Sequence, residues 1–173
     1  MNGFLLLIPF LLIRFLMLSI LNKNAIPRAA HFAPVQGKEK AAYYIYQLSN
    51  IGFFVYLFFL NVKMEFSWQF YLGGIFYIAG LGLCAVSIVS FSFPDDTGLN
   101  INGIYRFSRN PMYVSYFVCF IGMAILTKSW ILFAMVIIFQ VSAHWIILAE
   151  ERECKKKFGE RYLQYMKQVR RYF

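Results

Sequence analysis

Residues 103–113, Gly103-Ile104-Tyr105-Arg106-Phe107-Ser108-Arg109-Asn110-Pro111-Met112-Tyr113, set polar and cationic side chains between two strongly apolar stretches. Such a group can hold a polar ligand. The second half has the pattern of a helix start: Asn110 suits the cap position, Pro111 the first helical position, and an apolar run follows directly. A free helix N-terminus beside Arg109 offers backbone donors and positive charge to an anion. Further on, Gln140, His144 and Glu151 recur at steps of four and seven residues and so share one helical face, with Glu150 one step round from it. His144 and Glu151 are candidates for moving a proton. The alternatives are a His144 that reaches interfacial water and a carboxylate pair that starts a new charged helix.

The elements that position these groups are membrane helices. The chain of 173 residues is 60% hydrophobic and 20% aromatic, with only 14% charged residues, far from the balance of a soluble domain. Apolar runs at 4–21, 43–60, 70–91, 112–127 and 130–149 each approach the roughly 20 residues that cross a hydrocarbon core. The fold expected is all-α, a polytopic membrane bundle of about five transmembrane helices with a C-terminal amphipathic interfacial helix. Residues 1–173 read as a single domain, with ligand-binding groups from about 94 onward. Asn2 and Gly3 supply no basic leader and no small-x-small pattern follows the first run, so it is expected to stay as a mature helix. Arg14 inside that run requires a partner, a wet cavity or a snorkelling geometry.

The net charge of +9 follows the connections between spans and does not indicate nucleic acid. Lys23, Arg28, Lys38 and Lys40 follow the first span, Arg106 and Arg109 the third, and a cluster running from Arg152 to Arg171 the fifth; Lys63 and Lys128 occupy the alternate connections. This asymmetry places the N-terminus outside and the C-terminus, with segment 103–113, on the cytoplasmic side. Cys84, Cys119 and Cys154 are widely spaced and read as small buried side chains, and His31 and His144 are too far apart for a local ligand set. No metal is expected.

Short connections at 61–67 and 127–129 predict that spans two and three, and spans four and five, are antiparallel neighbours. Segment 22–42, with Pro27, Pro34 and Gly37, is more loop-like than helical; it either covers the cytoplasmic mouth or is a solvated connector held near anionic lipid. Pro94, Gly98 and Asn102-Gly103 predict folded loop over 94–102, tolerable beside a bilayer where it lines a polar cavity. In the tail, Phe158, Tyr162, Tyr165 and Val169 make an apolar face, interrupted by Gly159.

Residues 99–113, Glu150-Glu151 and Phe158-Gly159-Glu160-Arg161-Tyr162-Leu163-Gln164-Tyr165 together resemble the C-terminal half of the isoprenylcysteine carboxyl methyltransferase family. That family and the related phospholipid methyltransferases share a Gly-x-Tyr, an Arg-His-Pro or Arg-Asn-Pro followed by Tyr, and a later glutamate pair before Phe-Gly-x-x-Tyr. The resemblance implies methyl transfer from S-adenosyl-L-methionine, bound on the cytoplasmic side without a Gly-rich dinucleotide fold, to a lipophilic acceptor that enters from the membrane lipids. It implies that Thr97, Gly98, Leu99 and Asn100 line the cofactor, that Tyr105 packs beside it, that Asn110, Pro111, Met112 and Tyr113 continue the wall, and that Glu150 binds its polar end. Arg109 is added on physical grounds, as partner for the cofactor carboxylate or for Glu150. His144 or Glu151 would take a proton from an amine or thiol acceptor, whereas a carboxylate needs none removed.

The family's nearest precedent for the acceptor is a prenylcysteine carboxyl group; a phospholipid amine is the alternative. Asn110 stands where a histidine is common, and Ile146 where the prenylcysteine enzymes have an arginine for the substrate carboxylate. The cofactor half of the pattern is therefore matched better than the acceptor half. Sterol reductases with a related C-terminal architecture would bind NADPH at this place, and a non-enzymatic scaffold would use the basic tail instead.

Overall fold

The computed structural model describes residues 1–37 and 39–172; Lys38, counted above among the basic residues of the first connector, lies outside them. Among the described residues six helices carry the architecture: α1 (Gly3–Leu21), α2 (Ala25–Ala30), α3 (Glu39–Leu57), α4 (Trp68–Ser92), α5 (Pro111–Leu126) and α6 (Trp130–Gln168). No strand occurs among the described residues. Among the described residues three helices, α1, α4 and α6, are long and apolar enough to cross a membrane. The 16 residues of α5 rise only about 24 Å at 1.5 Å each, and α3 carries Glu39, Lys40, Gln47, Ser49 and Asn50 along its length.

The core forms where aromatic faces meet. Ala42, Tyr46, Phe53 and Leu57 recur at steps of four and seven on α3 and are buried, as a helix packed on one side requires. The Phe53 ring lies 4.3 Å from that of Phe120 on α5, and Tyr46 stacks on Phe139 of α6 at 4.9 Å. Helix α3 packs chiefly on α6, and α4 on α5. The expectation that spans two and three are neighbours is therefore overturned: α3 and α4 do not pack side by side. Their short connection is held across the end of the bundle by backbone bonds, from Val62 N–H to the Met1 carbonyl (2.7 Å) and from Gly3 N–H to that of Leu60 (2.8 Å), so α1 is drawn against α4. Helices α5 and α6 do pack together, as their three-residue turn predicts.

Small residues set the closest approach. A Cβ on Gly80 would collide with the backbone of Cys119, and one on Gly122 with the backbone of Tyr77, the arrangement that lets membrane helices touch backbone to backbone. Gly122→Val is expected to lower stability by about 1–3 kcal/mol or more, the range for overpacking. Gly82→Val, whose Cβ meets nothing within 4 Å, should leave thermal denaturation in detergent unchanged.

One further expectation is corrected. Residues Ala25–Ala30 form a short helix where loop was expected; Pro27 lies in its first turn, where the missing N–H has no intrahelical partner to lose. The helix that crosses the bundle runs on past Glu150 as far as Gly159 (φ 53°, ψ −131°), the break foreseen there, beyond which a second helical stretch continues to Gln168. Tyr162, Tyr165 and Val169 are buried with Leu99, against Ile101 and Phe158, so the tail's apolar face covers loop 94–102.

Candidate active site

At one end of the bundle a partly enclosed cavity of about 580 Å³ lies between α1, α2, loop 94–102, α5 and α6, within the size range of small-molecule sites. The loop wall is built by Asp95. Its Oδ1 accepts from the Thr97 hydroxyl (2.6 Å) and from the backbone N–H of Thr97 (2.9 Å) and Leu99 (3.0 Å), and its Oδ2 from Arg161 (2.6 Å). This turn presents Gly98, Leu99 and Asn100 to the cavity while Thr97 is occupied with Asp95 and stays out of the wall.

The Thr97 hydroxyl, helped by these backbone donors and Arg161, holds the Asp95 carboxyl below the usual carboxylate range. A depressed folded-state pKa gives stability that is full above the ordinary value near 4 and lost as pH falls through the lower one. The turn is expected to persist from neutral pH to about 4 and to loosen below it. Hydrogen exchange at the Leu99 amide should show that step, and Asp95→Asn should remove it.

Tyr105 lies in a single 3₁₀ turn, Gly103–Arg106. Its carbonyl accepts from the Tyr165 hydroxyl at 2.6 Å, and burial pushes its own phenol well above the ordinary value, so it offers the cavity a neutral ring. Opposite, the Tyr113 hydroxyl donates to Glu150 Oε1 at 2.8 Å. Met112, Tyr116 and Tyr46 extend this wall, and Arg28 borders it, donating to the Phe91 carbonyl (2.9 Å) and the Asn100 side chain (3.3 Å).

From the connector after α1, Pro27, Arg28, Ala29, His31 and Phe32 line the cavity. The segment is fastened to α6 by the Arg152–Glu39 pair (2.7 Å), a donation from Arg152 to the Pro34 carbonyl (3.0 Å) and the His31–Glu153 contact (3.0 Å). Arg152 draws the Glu39 carboxyl down to about 2, so this clasp holds above pH 4.5 and weakens only as pH falls toward 2.

The polar residues adjoining Glu150 do other work than their spacing suggested. Arg109 turns from Glu150 to Glu151: its Nη2 lies 2.8 Å from Glu151 Oε1, and Nη1 donates to the carbonyls of Met166 (3.0 Å) and Val169 (2.9 Å). Arg171 holds the other oxygen of Glu151 at 2.8 Å. The residues flanking the helix start bond the chain itself: Asn110 occupies the cap position without a capping bond and its side-chain amide donates to the Arg171 carbonyl (3.1 Å), while Arg109 N–H donates to that of Arg170 (3.0 Å). Pro111, at the first helical position, is buried behind the wall, and His144 lies outside it with Nδ1 2.7 Å from the Tyr172 hydroxyl. Arg109, Asn110 and Glu151 do border the cavity, but with their hydrogen bonds made to protein.

Sequence reasoning missed Arg28, Tyr46 and Tyr116. Arg28 sits in a connector with no motif; the tyrosines recur at core spacing in apolar runs, and only their hydroxyls set them apart from phenylalanine.

A helical membrane protein with a tyrosine-lined polar cavity at one end of its bundle is the class that this fold and site define. The chain belongs to the phospholipid methyltransferase family, whose model matches residues 68–161, from the start of α4 through both glutamates to the break in α6. No curated protein and no solved structure matches it. Family membership makes it a membrane methyltransferase.

Proposed function

We propose that the protein transfers the methyl group of S-adenosyl-L-methionine to a lipophilic acceptor inside this cavity. The observation that carries the reading is Glu150: a carboxylate in a tyrosine wall, with one hydrogen bond from Tyr113. A ligand with a sulfonium, an ammonium and a carboxylate suits these donors. Glu150 would hold the ammonium, the rings of Tyr46, Tyr105, Tyr113 and Tyr116 would face positive charge, backbone at Gly98–Asn100 would border the polar part, and Arg28 would answer the carboxylate. The cofactor supplies a methyl group activated by its positive sulfur. The chain's task is to orient it and exclude water, which α2 and the covering segment do, while the acceptor's lone pair takes the methyl and the carbon–sulfur pair returns to sulfur.

Of the two acceptor classes the phospholipid amine is the better supported. The family match is to phospholipid methyltransferases, and Ile146 is 1% exposed in the core, where it offers nothing to a prenylcysteine carboxylate. An amine must arrive unprotonated. His144 and Glu151 are both engaged by other side chains, so proton loss to water from the polar mouth replaces the side-chain base expected from spacing. In the membrane, α3 and α5 would complete five spans, with the N-terminus outside, the cavity mouth and C-terminus in the cytoplasm, and basic residues of the tail near lipid headgroups.

Calorimetric titration of the purified protein tests the reading. Saturable binding of S-adenosyl-L-methionine with no binding of NADPH is expected; NADPH binding in its place would turn the assignment to a reductase.

A further inference from the structure

Arg14 lies within the apolar α1, about 10 Å along the axis from the helix end at Leu21. Residues Leu12–Met17 around it are wound as a π-helix, a local widening that is frequent at functional sites. Its side chain joins the cavity wall. Nη2 donates to the Ala29 carbonyl at 2.9 Å, whereas Nη1 is buried and has no partner among the described residues. The guanidinium carbon is 5.9 Å from the centre of the Tyr116 ring.

No carboxylate pairs with this cation among the described residues. Glu150 is held by Tyr113, Glu151 by Arg109 and Arg171, and Glu153 by His31. An uncompensated guanidinium at such depth is costly, and residues of this kind mark substrate pathways when they face a cavity. Snorkelling does not describe it, because Nη1 is buried in the protein. Arg14 and Glu150 both border the cavity without pairing, so the cavity offers a carboxylate for a cation and a guanidinium for an anion.

We propose that Arg14 is the receptor for the oxyanion of the lipid acceptor, a phosphodiester or a carboxylate, and so determines acceptor specificity. The assignment of that ligand as methyl acceptor rests on the function proposed above; the oxyanion chemistry rests on Arg14 alone. Arg14 also lies outside the segment matched by the family model.

The test titrates the purified full chain, in neutral detergent and without methyl donor, with dihexanoyl phosphatidylmethanol and N-acetyl-S-farnesylcysteine, both anionic and without an ammonium that Glu150 could hold, and with uncharged dihexanoylglycerol. The native protein should bind one of the two anionic probes saturably, and the glycerol at least about tenfold more weakly. Phosphatidylmethanol binding assigns a phosphodiester, and N-acetyl-S-farnesylcysteine binding a carboxylate. Arg14→Gln should weaken the bound anionic probe by roughly tenfold to a hundredfold, Arg14→Lys should restore most of it, and S-adenosyl-L-methionine affinity should be equal in all three proteins. The glycerol comparison uses native protein only, so it decides even where Arg14→Gln fails to fold. Equal binding of charged and uncharged probes, native binding of neither anion, or an Arg14→Gln protein that binds like the native one would overturn the proposal. Loss of methyl-donor binding in the native protein, with Arg14-dependent anion binding intact, would overturn the methyl-transfer reading and leave the oxyanion site standing.

Discussion

Glu150→Gln is expected to weaken S-adenosyl-L-methionine binding by roughly tenfold to a hundredfold, the scale of one charge-assisted hydrogen bond, and to leave the fold intact. Glutamine keeps an oxygen for the Tyr113 hydroxyl, which donates to Glu150 at 2.8 Å, but removes the charge. No ion pair is broken, because no cationic side chain pairs with Glu150 among the described residues. Replacing a buried charge by a neutral isostere is neutral or stabilising when nothing is left unpaired. Thermal denaturation should therefore show an unchanged or raised midpoint alongside the lost affinity. A Glu150→Gln protein that binds donor like the native one would remove Glu150 from the site.

Glu151→Ala should do the reverse, costing about 3–5 kcal/mol of stability, the range for removing one member of a buried ion pair. The Arg109 and Glu151 side chains are 7% and 4% exposed and lie 2.8 Å apart. Without the carboxylate, Arg109 is left charged in a buried place. The half-exposed Arg171 adds less, since solvent screens it, but its loss would release the last turn from Asn110 and Ser108. Denaturation in detergent and proteolysis near the C-terminus should both report this. Stability retained by Glu151→Ala together with loss of transfer would instead return Glu151 to the role of proton acceptor.

The contrast between these adjacent carboxylates shows what spacing can and cannot specify. Successive helical residues point about 100° apart. The Glu150-Glu151 pair was legible as a site, but which member kept its carboxylate free of ion pairs depended on where the loop carrying Arg109 and the residues around Arg171 would lie. The helix start at Asn110-Pro111 was legible from local chemistry. That the Arg109 amide and the Asn110 side chain beside it would donate to the carbonyls of Arg170 and Arg171 was not, because those residues are distant in sequence. The folded loop after α4 followed from Pro94, Gly98 and Asn102-Gly103, whereas the role of Thr97 was hidden by Asp95, which claims its hydroxyl. Short-loop adjacency succeeded for α5 and α6. It failed for α3 and α4, whose connection is held by backbone bonds to residues at the start of the chain.

The central claim is tested most directly by incubating purified native protein with methyl-labelled S-adenosyl-L-methionine and a membrane lipid extract, with Glu150→Gln in parallel. The expected result is label in a phospholipid carrying a methylated amine with the native protein, and little or none with Glu150→Gln. Equal labelling by both proteins would contradict the site, and no labelled lipid from a native protein that binds the donor would contradict methyl transfer to a lipid.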